Sequence, residues 1–137
     1  MQITPKPKSN KILLDTSALI ALLKKEPGYK KVDEVVAHSA ISSVNLCELV
    51  SILAKNSIPE NAIDDIINDI VPEIIPFCEN LGVKAGKLSS FTKEYGLSLG
   101  DKACIATAEY YSMEVYTADK IWAKLENNIS TKITIIR

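Results

Sequence analysis

Histidine and cysteine are scarce in this sequence, which leaves little support for several classes of site. The one histidine, His38, is too little for a His-ligated zinc centre or a Ser-His-Asp triad. The three cysteines, Cys47, Cys78 and Cys104, are odd in number and far apart, so they provide neither a disulfide framework nor a CxxC metal knuckle. Their apolar surroundings predict buried free thiols. Any metal in this protein would therefore be held by oxygen.

The sequence also lacks an excess of one charge and any long apolar run. Lysine and arginine number 16 against 17 acids, so no overall basic field attracts nucleic acid or an anionic membrane. A nuclease can still draw local positive charge from bound metal ions. No apolar run approaches the roughly 18 to 20 residues that span a bilayer, and the start MQITPKPKSN has no signal-peptide core. We therefore expect a cytoplasmic protein that does not associate with membranes.

The composition and pattern of the chain predict one globular domain. The chain has 137 residues, of which 47% are hydrophobic and 24% charged, enough for a real core. Residues 1–10 are rich in proline and lysine and predict a flexible N-terminal tail, followed by a single domain over residues 11–137. Short apolar runs alternate with helical patterns throughout. This alternation predicts an α/β fold with a mainly parallel central sheet of four to five short strands, flanked by helices.

One stretch, KILLDTSALIALL, places an acid at a corner between a strand and a helix. Its first apolar run predicts a buried strand, and Thr16 and Ser17 offer side-chain oxygens that could open the following helix, Thr16 to Lys24. Asp15 lies at the corner. Ligands bind outside the carboxyl ends of parallel strands, so this acid is a candidate for chemistry, although a helix cap explains it equally well.

Three further acids occupy similar places later in the chain. Glu48 lies one turn into a helix that begins at a strand's end, and Asp119 lies just past another predicted strand. Asp101 has the S-x-x-D spacing of a capping box with Ser98. Each has a purely structural explanation: Glu48 as a solvated helix acid, and Asp101 and Asp119 as caps.

The conjunction of the four acids favours a site. All four come at a strand's end or in the first turn of a helix that would begin at the same edge of the sheet. Carboxylates that converge without a counter-charge repel one another and raise their own pKa values, so such a cluster requires a divalent cation. Hard ions that favour carboxylate oxygen are the natural occupants, which predicts one or two Mg²⁺ or Mn²⁺ ions.

Four motifs, in this order and at this spacing, carry a family resemblance: LLDTSALIALL, SSVNLCEL, GLSLGDKACIATA and YTADKIW. Together they resemble the PIN-domain nucleases, and most closely the VapC-type toxins of prokaryotic toxin-antitoxin pairs, over nearly the whole chain from Lys11 to Ile136. The resemblance implies a PIN-like fold and a metal-dependent endoribonuclease that hydrolyses RNA. It also implies a homodimer and a cognate antitoxin whose tail covers the acidic site.

The resemblance assigns roles to individual residues of this chain. The matching acidic quartet, which would bind metal and carry catalysis, is Asp15, Glu48, Asp101 and Asp119. The polar residues that match those supporting such quartets are Thr16, Ser17, Asn45 and Thr117. Candidate phosphate contacts are Lys102, Lys120 and Lys124. Asp15 and Asp101 are the expected principal ligands, and the hydroxyls of Thr16 and Ser17 are expected to cap the helix, which would leave the carboxylate of Asp15 free for the ion.

Other interpretations fit the residues less well or differ in kind. A phosphatase of the haloacid dehalogenase type wants a second aspartate where this chain has Ser17, and a receiver domain wants an acceptor aspartate where it has Cys78 and Glu79. The non-enzyme alternative is a PIN-like RNA-binding, RNA-processing or assembly module in which the acids are caps and no metal binds. The toxin role rests on analogy, because a fold and a site give chemistry but not biology.

Overall fold

Strands and helices alternate along the chain as the sequence predicts. The computed structural model describes residues 10–71 and 73–137, so the predicted tail lies outside the described residues apart from Asn10. The strands are β1 (Ile12–Leu14), β2 (Ser39–Ser42), β3 (Glu73–Ile75), β4 (Glu114–Thr117) and β5 (Ile133–Ile135). The α-helices are α1 (Thr16–Lys24), α2 (Tyr29–Val35), α3 (Ser43–Lys55), α4 (Glu60–Ile70), α5 (Glu79–Lys87), α6 (Ser89–Thr92) and α7 (Leu99–Tyr111). Short 3₁₀-helices cover Val36–His38, Lys93–Tyr95 and Lys120–Leu125.

The five described strands form one parallel sheet in the order β3-β2-β1-β4-β5. Leu13 of β1 is aligned with Ala40 of β2 on one side and with Val115 of β4 on the other. The predicted parallel sheet of four to five strands is therefore confirmed. The chain first builds outward from β1 through β2 and β3, and then returns to the other side of β1 with β4. This reversal makes the boundary between β1 and β4 the switch point, where open α/β sheets bind ligands.

Both faces of the sheet are covered by helices, and neighbouring residues of β1 pack in two different hydrophobic clusters. Leu13 packs in a cluster with buried residues of α5, α7 and the 3₁₀-helix at Lys120–Leu125, including Trp122. Leu14 packs in a second cluster with buried residues of α1, α2 and α3. Side chains alternate between the two faces of a strand, so a continuous apolar run is what a strand buried on both sides requires.

The expectation that all three cysteines are buried is wrong. Of the three thiols, only Cys104 is buried, whereas Cys47 and Cys78 are exposed. Cys47 lies on the side of α3 that borders an open cleft, and Cys78 is the N-cap of α5. Apolar neighbours in the sequence therefore do not show whether a cysteine is buried.

The described helices are short. The longest, α3 and α7, each contain 13 residues. Within the described part of the chain, no helix has both the length and the apolar character needed to cross a membrane.

Candidate active site

The first acid of the predicted quartet, Asp15, lies at the carboxyl end of β1 and is only 3% exposed. Its Oδ1 accepts hydrogen bonds from the backbone N–H of Ala18 (2.9 Å) and the hydroxyl of Ser17 (2.7 Å). Its Oδ2 accepts from the hydroxyl of Thr117, which ends β4. The expectation that Thr16 and Ser17 would cap α1 is therefore wrong. Asp15 caps the helix itself, because its own carboxylate reaches the free N–H of the first turn.

The position of Asp15 between two central strands makes its negative charge costly. Burial raises the pKa of this carboxyl from its ordinary value of 3.8 to about 6, although the hydrogen bonds from Thr117, Ser17 and Ala18 oppose the rise. The charge of Asp101 adds a smaller contribution in the same direction. A nearby cation would stabilise the ionised form of such a group.

The second acid, Asp101, is held at the start of α7. Ser98 and Asp101 form the predicted capping box: the Ser98 hydroxyl accepts from the Asp101 N–H (3.1 Å), and Asp101 Oδ2 accepts from the Ser98 N–H (3.0 Å). Burial raises the pKa of Asp101, and the charges of Asp119 and Glu48 raise it further. The two hydrogen bonds with Ser98 oppose this rise. The carboxylates are therefore close enough to disfavour one another's ionised forms.

Glu48, the third acid, lies where α3 meets the first turn of α7. Its Oε1 accepts from the hydroxyl of Thr16 (2.6 Å) and the side-chain amide of Asn45 (2.8 Å). Gly100 of α7 lies directly against the carboxylate. Thr16 and Asn45 therefore support Glu48, whereas Ser17 and Thr117 support Asp15, a division of the four predicted supporting residues that sequence order does not reveal.

Asn45 connects three elements behind the carboxylates. It is 1% exposed, and its Nδ2 lies within hydrogen-bonding distance of Glu48 Oε1, Thr16 Oγ1 (3.1 Å) and the Gly100 carbonyl (3.3 Å). Its Oδ1 is buried and has no hydrogen-bond partner among the described residues. A buried acceptor without a partner costs free energy, because it has lost its hydrogen bonds to water. The Oδ1 of Asn45 is therefore available to a donor or a cation.

Asp119, the fourth acid, is exposed and follows β4. Its Oδ1 accepts from the N–H of Ile121 (3.1 Å) as the N-cap of the 3₁₀-helix, and its own N–H donates to Thr117 Oγ1 (3.1 Å). Thr117 therefore contacts both Asp15 and Asp119. This hydroxyl connects the two acids on either side of the switch point.

All four acids line one open cleft of about 750 Å³. Its apolar wall consists of aliphatic side chains, namely Ile20, Val44, Ile52 and Leu99. Three charged residues without a predicted role also line it: Glu26, Lys55 and Arg137. A second cavity of about 550 Å³ lies at the opposite end of the sheet, where the only lining acid among the described residues is Glu114. The predicted convergence of four acids therefore occurs in one cleft, at the carboxyl edge of the sheet.

The three lysines chosen as candidate phosphate contacts do not line this cleft. Lys102 donates instead to the hydroxyl of Ser89 (3.1 Å), and Lys120 and Lys124 are exposed on the 3₁₀-helix. The cations that do line it are Lys55 and Arg137. One signal could have identified Arg137: it follows the last predicted strand and therefore lies at the same edge of the sheet as the acids.

The donor set of the cleft fits a hard divalent cation with incomplete protein ligation. Among residues 10–71 and 73–137, no three acidic, cysteine or histidine side chains are placed to hold one ion together. Each acid instead accepts hydrogen bonds from caps or hydroxyls. Mg²⁺ is commonly bound through one or two carboxylates while it keeps several waters, so a cleft without three convergent ligands is compatible with this ion. Burial is the main cause of the raised pKa values of Asp15 and Asp101, and a cation bound beside them would stabilise their ionised forms.

Comparison with known proteins agrees with the motifs and with the observed fold. The family model of the PIN domain matches residues 12–128. The fold is similar to a toxin-antitoxin complex from Klebsiella pneumoniae, with a TM-score of 0.69 and 21% identity over 93% of this chain and 98% of that one. It is also similar to DNA-bound VapBC from Salmonella typhimurium, with a TM-score of 0.72 and 17% identity over 93% and 99% of the two chains.

A third similar structure is VapC20 from Mycobacterium tuberculosis, a sarcin-ricin loop cleaving toxin, with a TM-score of 0.70 and 16% identity over 88% and 97% of the two chains. At these identities the likenesses establish the shared fold. No curated protein matches the sequence. Because the family model covers most of the chain and the predicted acids meet at the switch point of the matching fold, this chain belongs to the PIN-domain family.

Proposed function

We propose that this chain is a divalent-metal-dependent endoribonuclease that hydrolyses RNA phosphodiester bonds and serves as the toxin of a toxin-antitoxin pair. The observation that carries the proposal is the meeting of Asp15, Glu48, Asp101 and Asp119 in one cleft, at the switch point of the sheet. Membership of the PIN-domain family supports nuclease chemistry. The sarcin-ricin loop cleaving toxin among the similar structures supports RNA as the substrate.

In this proposal Asp15 and Asp101 hold the principal ion, Asp119 completes the site and Glu48 orients the attacking water or holds a second ion. When bound, Mg²⁺ or Mn²⁺ supplies activation of water and neutralisation of the charge that develops on the scissile phosphate. The chain's own contribution is positioning. Ser17 and Thr117 fix the carboxylate of Asp15, and Thr16 and Asn45 fix that of Glu48, because each donates a hydrogen bond to it.

Replacing Asp15 with asparagine tests the nuclease proposal. Asp15→Asn keeps the size of the side chain and an acceptor for the Ala18 N–H, so we expect cooperative unfolding but no Mg²⁺-dependent RNA cleavage. The matched control is Asp69→Asn on the exposed side of α4, which should cleave like the unsubstituted chain. EDTA should abolish the activity, and added Mg²⁺ or Mn²⁺ should restore it. Retained metal-dependent cleavage in Asp15→Asn would overturn the assignment.

The second candidate is the PIN-like RNA-binding or assembly module without a metal. It is favoured by the hydrogen bonds that each acid already accepts and by the absence of three convergent ligands in the described part of the chain. Thermal unfolding with and without Mn²⁺ distinguishes the two candidates. Binding at 100 times Kd stabilises a folded protein by about 2.7 kcal/mol, so a metal site raises the melting temperature and a module without one shows no shift.

The proposed partner is a cognate antitoxin that covers the acidic cleft of a homodimeric toxin in the cytoplasm. The similar structures include a toxin-antitoxin complex and VapBC, which supports a protein partner of this kind. The apolar wall beside the acids offers a surface for it. Light scattering of the purified chain tests the dimer. Co-expression with the product of a small adjacent reading frame tests the antitoxin, and a gene without such a neighbour would favour an RNA-processing role.

A further inference from the structure

The cleft that holds four acids also has two cations, and they come from distant parts of the chain. Lys55 is the last residue of α3, and Arg137 follows β5. Neither belongs to the acidic quartet or to its supporting hydroxyls. An RNA strand carries one negative charge per nucleotide, so a cleft lined mainly by carboxylates needs cations away from the cut phosphate to attract the strand.

The backbone before Arg137 is fixed, which determines where its side chain can reach. The N–H of Ile136 donates to the carbonyl of Thr117 (2.9 Å), and the Ile136 side chain is 1% exposed. Gly28 lies so close to the Ile136 carbonyl that a Cβ there would be 2.3 Å from it. Arg137 therefore extends from a well-packed segment into the cleft.

Among the described residues, the guanidinium of Arg137 makes only a weak ion pair. Its Nη1 lies 3.6 Å from Oε1 of Glu26, and the two side chains are 38% and 35% exposed. This distance is too long for a good hydrogen bond, and exposed ion pairs contribute only about 0 to 1 kcal/mol. A phosphate can accept two parallel hydrogen bonds from one guanidinium, so it can displace Glu26.

Lys55 is placed to contact a phosphate different from the one at the acids. It lies seven residues after Glu48 on α3, a distance of about 10 Å along the helix axis. It is exposed and makes no ion pair within residues 10–71 and 73–137. A lysine in the last turn of α3 is also favoured by the carbonyl groups at that end of the helix. This interaction does not explain why Lys55 lines the same cleft as Arg137.

The wall of the cleft favours contact with the backbone of RNA over contact with its bases. Its apolar lining residues are aliphatic, and none of the described residues that line it is aromatic. Proteins that bind single strands through their bases usually stack them on aromatic rings. Affinity in this cleft must therefore depend strongly on contacts to phosphate.

We propose that Arg137 and Lys55 bind phosphates of the RNA strand that flank the cut position, and that Glu26 competes with the strand for Arg137. This proposal rests on the proposed nuclease function and adds how the substrate is held. It replaces Lys102, Lys120 and Lys124 as the phosphate contacts, because these three lysines lie outside the cleft.

Binding of a short fluorescein-labelled single-stranded RNA tests the proposal. Fluorescence anisotropy is measured across a range of NaCl concentrations with Mg²⁺, using the Asp15→Asn chain so that the RNA stays intact. Arg137→Ala and Lys55→Ala should each raise Kd about five-fold and reduce the slope of log K against log salt by about 0.7, as expected for one lost contact to a single strand. Arg137→Lys should be intermediate, and Glu26→Gln should lower Kd about two-fold because it removes the competitor.

The matched control is Lys93→Ala, which removes an exposed lysine outside the cleft and should leave Kd and the salt slope unchanged. In the chain with Asp15 intact, Arg137→Ala should raise KM and leave kcat unchanged, because its contact is made equally in the bound and transition states. Arg137→Ala and Lys55→Ala chains that behave like Lys93→Ala would overturn the proposal. So would variants that bind RNA normally but lose affinity for a protein partner, since the cations would then serve that partner. Metal-dependent cleavage by Asp15→Asn would instead refute the proposed function, and the Kd comparison repeated in EDTA, where the RNA stays intact, would still decide the role of the two cations.

Discussion

The backbone of Gly100 lies directly against the carboxylate of Glu48. A Cβ placed on Gly100 would be 2.3 Å from each of the two carboxylate oxygens, a distance that real Cβ atoms do not adopt. Gly100 immediately precedes Asp101, and its carbonyl lies 3.3 Å from Asn45 Nδ2. The absence of a side chain at this position therefore allows α7 to approach α3 closely, and this approach brings the acids of the two helices into one cleft.

Gly100→Ala should abolish most of the activity while leaving the fold intact. The new methyl group displaces the Glu48 carboxylate, which is the end of a flexible side chain, from Thr16 and Asn45. A misplacement of about 1 Å in a catalytic group can cost about 100-fold in rate, and we expect a loss of this size in kcat/KM for RNA cleavage. Overpacking should cost about 1 to 3 kcal/mol in the free energy of unfolding, measured in urea.

Gly86→Ala is the matched control for this change. Gly86 is also a helical glycine, in α5, but nothing lies within 4 Å of the Cβ it would gain. Alanine there should raise the free energy of unfolding by about 0.5 to 1 kcal/mol and leave cleavage unchanged. Equal cleavage by the Gly100→Ala and Gly86→Ala chains would show that the position of Glu48 does not matter for activity.

Gly28→Ala should destabilise the fold and disturb the segment that carries Arg137. Gly28 has a φ of +93°, and its Cβ would lie 2.3 Å from the carbonyl oxygen of Ile136, which is backbone and cannot move aside easily. Conformational strain and the clash together should cost at least about 2 kcal/mol. Urea unfolding measures this loss, and RNA affinity should fall with it because Arg137 follows Ile136.

Gly96→Ala separates strain from clash. Gly96 has a φ of +64°, but nothing lies within 4 Å of its Cβ position. Only the cost of the left-handed conformation applies, about 1 to 2 kcal/mol, with no effect on RNA affinity. If Gly28→Ala cost no more than Gly96→Ala, the contact between Gly28 and Ile136 would not constrain the fold.

Local patterns predicted the fold and the acids well because both depend on short-range order. The run Ile12–Leu14 predicts a buried strand, and the hydroxyl residues and acids after β1, β2 and β4 predict helix starts. Parallel order then places the four acids at one edge. The structure confirms the parallel sheet, the capping box at Ser98 and the shared cleft of the four acids.

The remaining features depend on contacts between distant segments, which a single sequence does not specify. Thr16 is next to Asp15 in the chain yet donates to Glu48, because the packing of α1 on α3 decides its partner. Gly100 gives no sign in the sequence that a carboxylate lies against it. Arg137 and Glu26 are separated by most of the chain and meet only at the rim of the cleft. The lysines predicted to contact phosphate were next to the acids in the sequence, but they lie outside the cleft.

The stability of the metal-free chain should fall as the pH rises from about 4 to about 6. The pKa of Asp15 is raised from 3.8 in the unfolded chain to about 6 in the folded one, so in this range the folded state binds more protons than the unfolded state. The free energy of unfolding then decreases with pH, by at most about 3 kcal/mol for this group. Urea unfolding in EDTA at a series of pH values measures the decrease, and Mg²⁺ or Mn²⁺ should reduce it.

Asp15→Asn identifies the group responsible for this fall. The variant has no charge to bury, so its free energy of unfolding should change less between pH 4 and pH 6, and the difference between the two curves isolates Asp15 from Asp101. Asp69→Asn on α4 should keep the full decrease. The explanation fails if the Asp15→Asn curve runs parallel to that of the unsubstituted chain.

Thr117→Val should extend this pH dependence to higher pH. The hydroxyl of Thr117 donates a hydrogen bond to Asp15 Oδ2. Of the hydrogen bonds that lower the pKa of that carboxyl, this one has the largest effect. Valine has the same shape without the donor, so the pKa of Asp15 should rise further, and stability should continue to fall above pH 6 in EDTA. Loss of the buried hydrogen bonds should also cost about 1 kcal/mol overall. Thr107→Val is the control, because Thr107 is equally buried but donates to the Ala103 carbonyl within α7. If both variants lost stability over the same pH range as the unsubstituted chain, Thr117 would be a packing residue and not the group that sets the ionisation of Asp15.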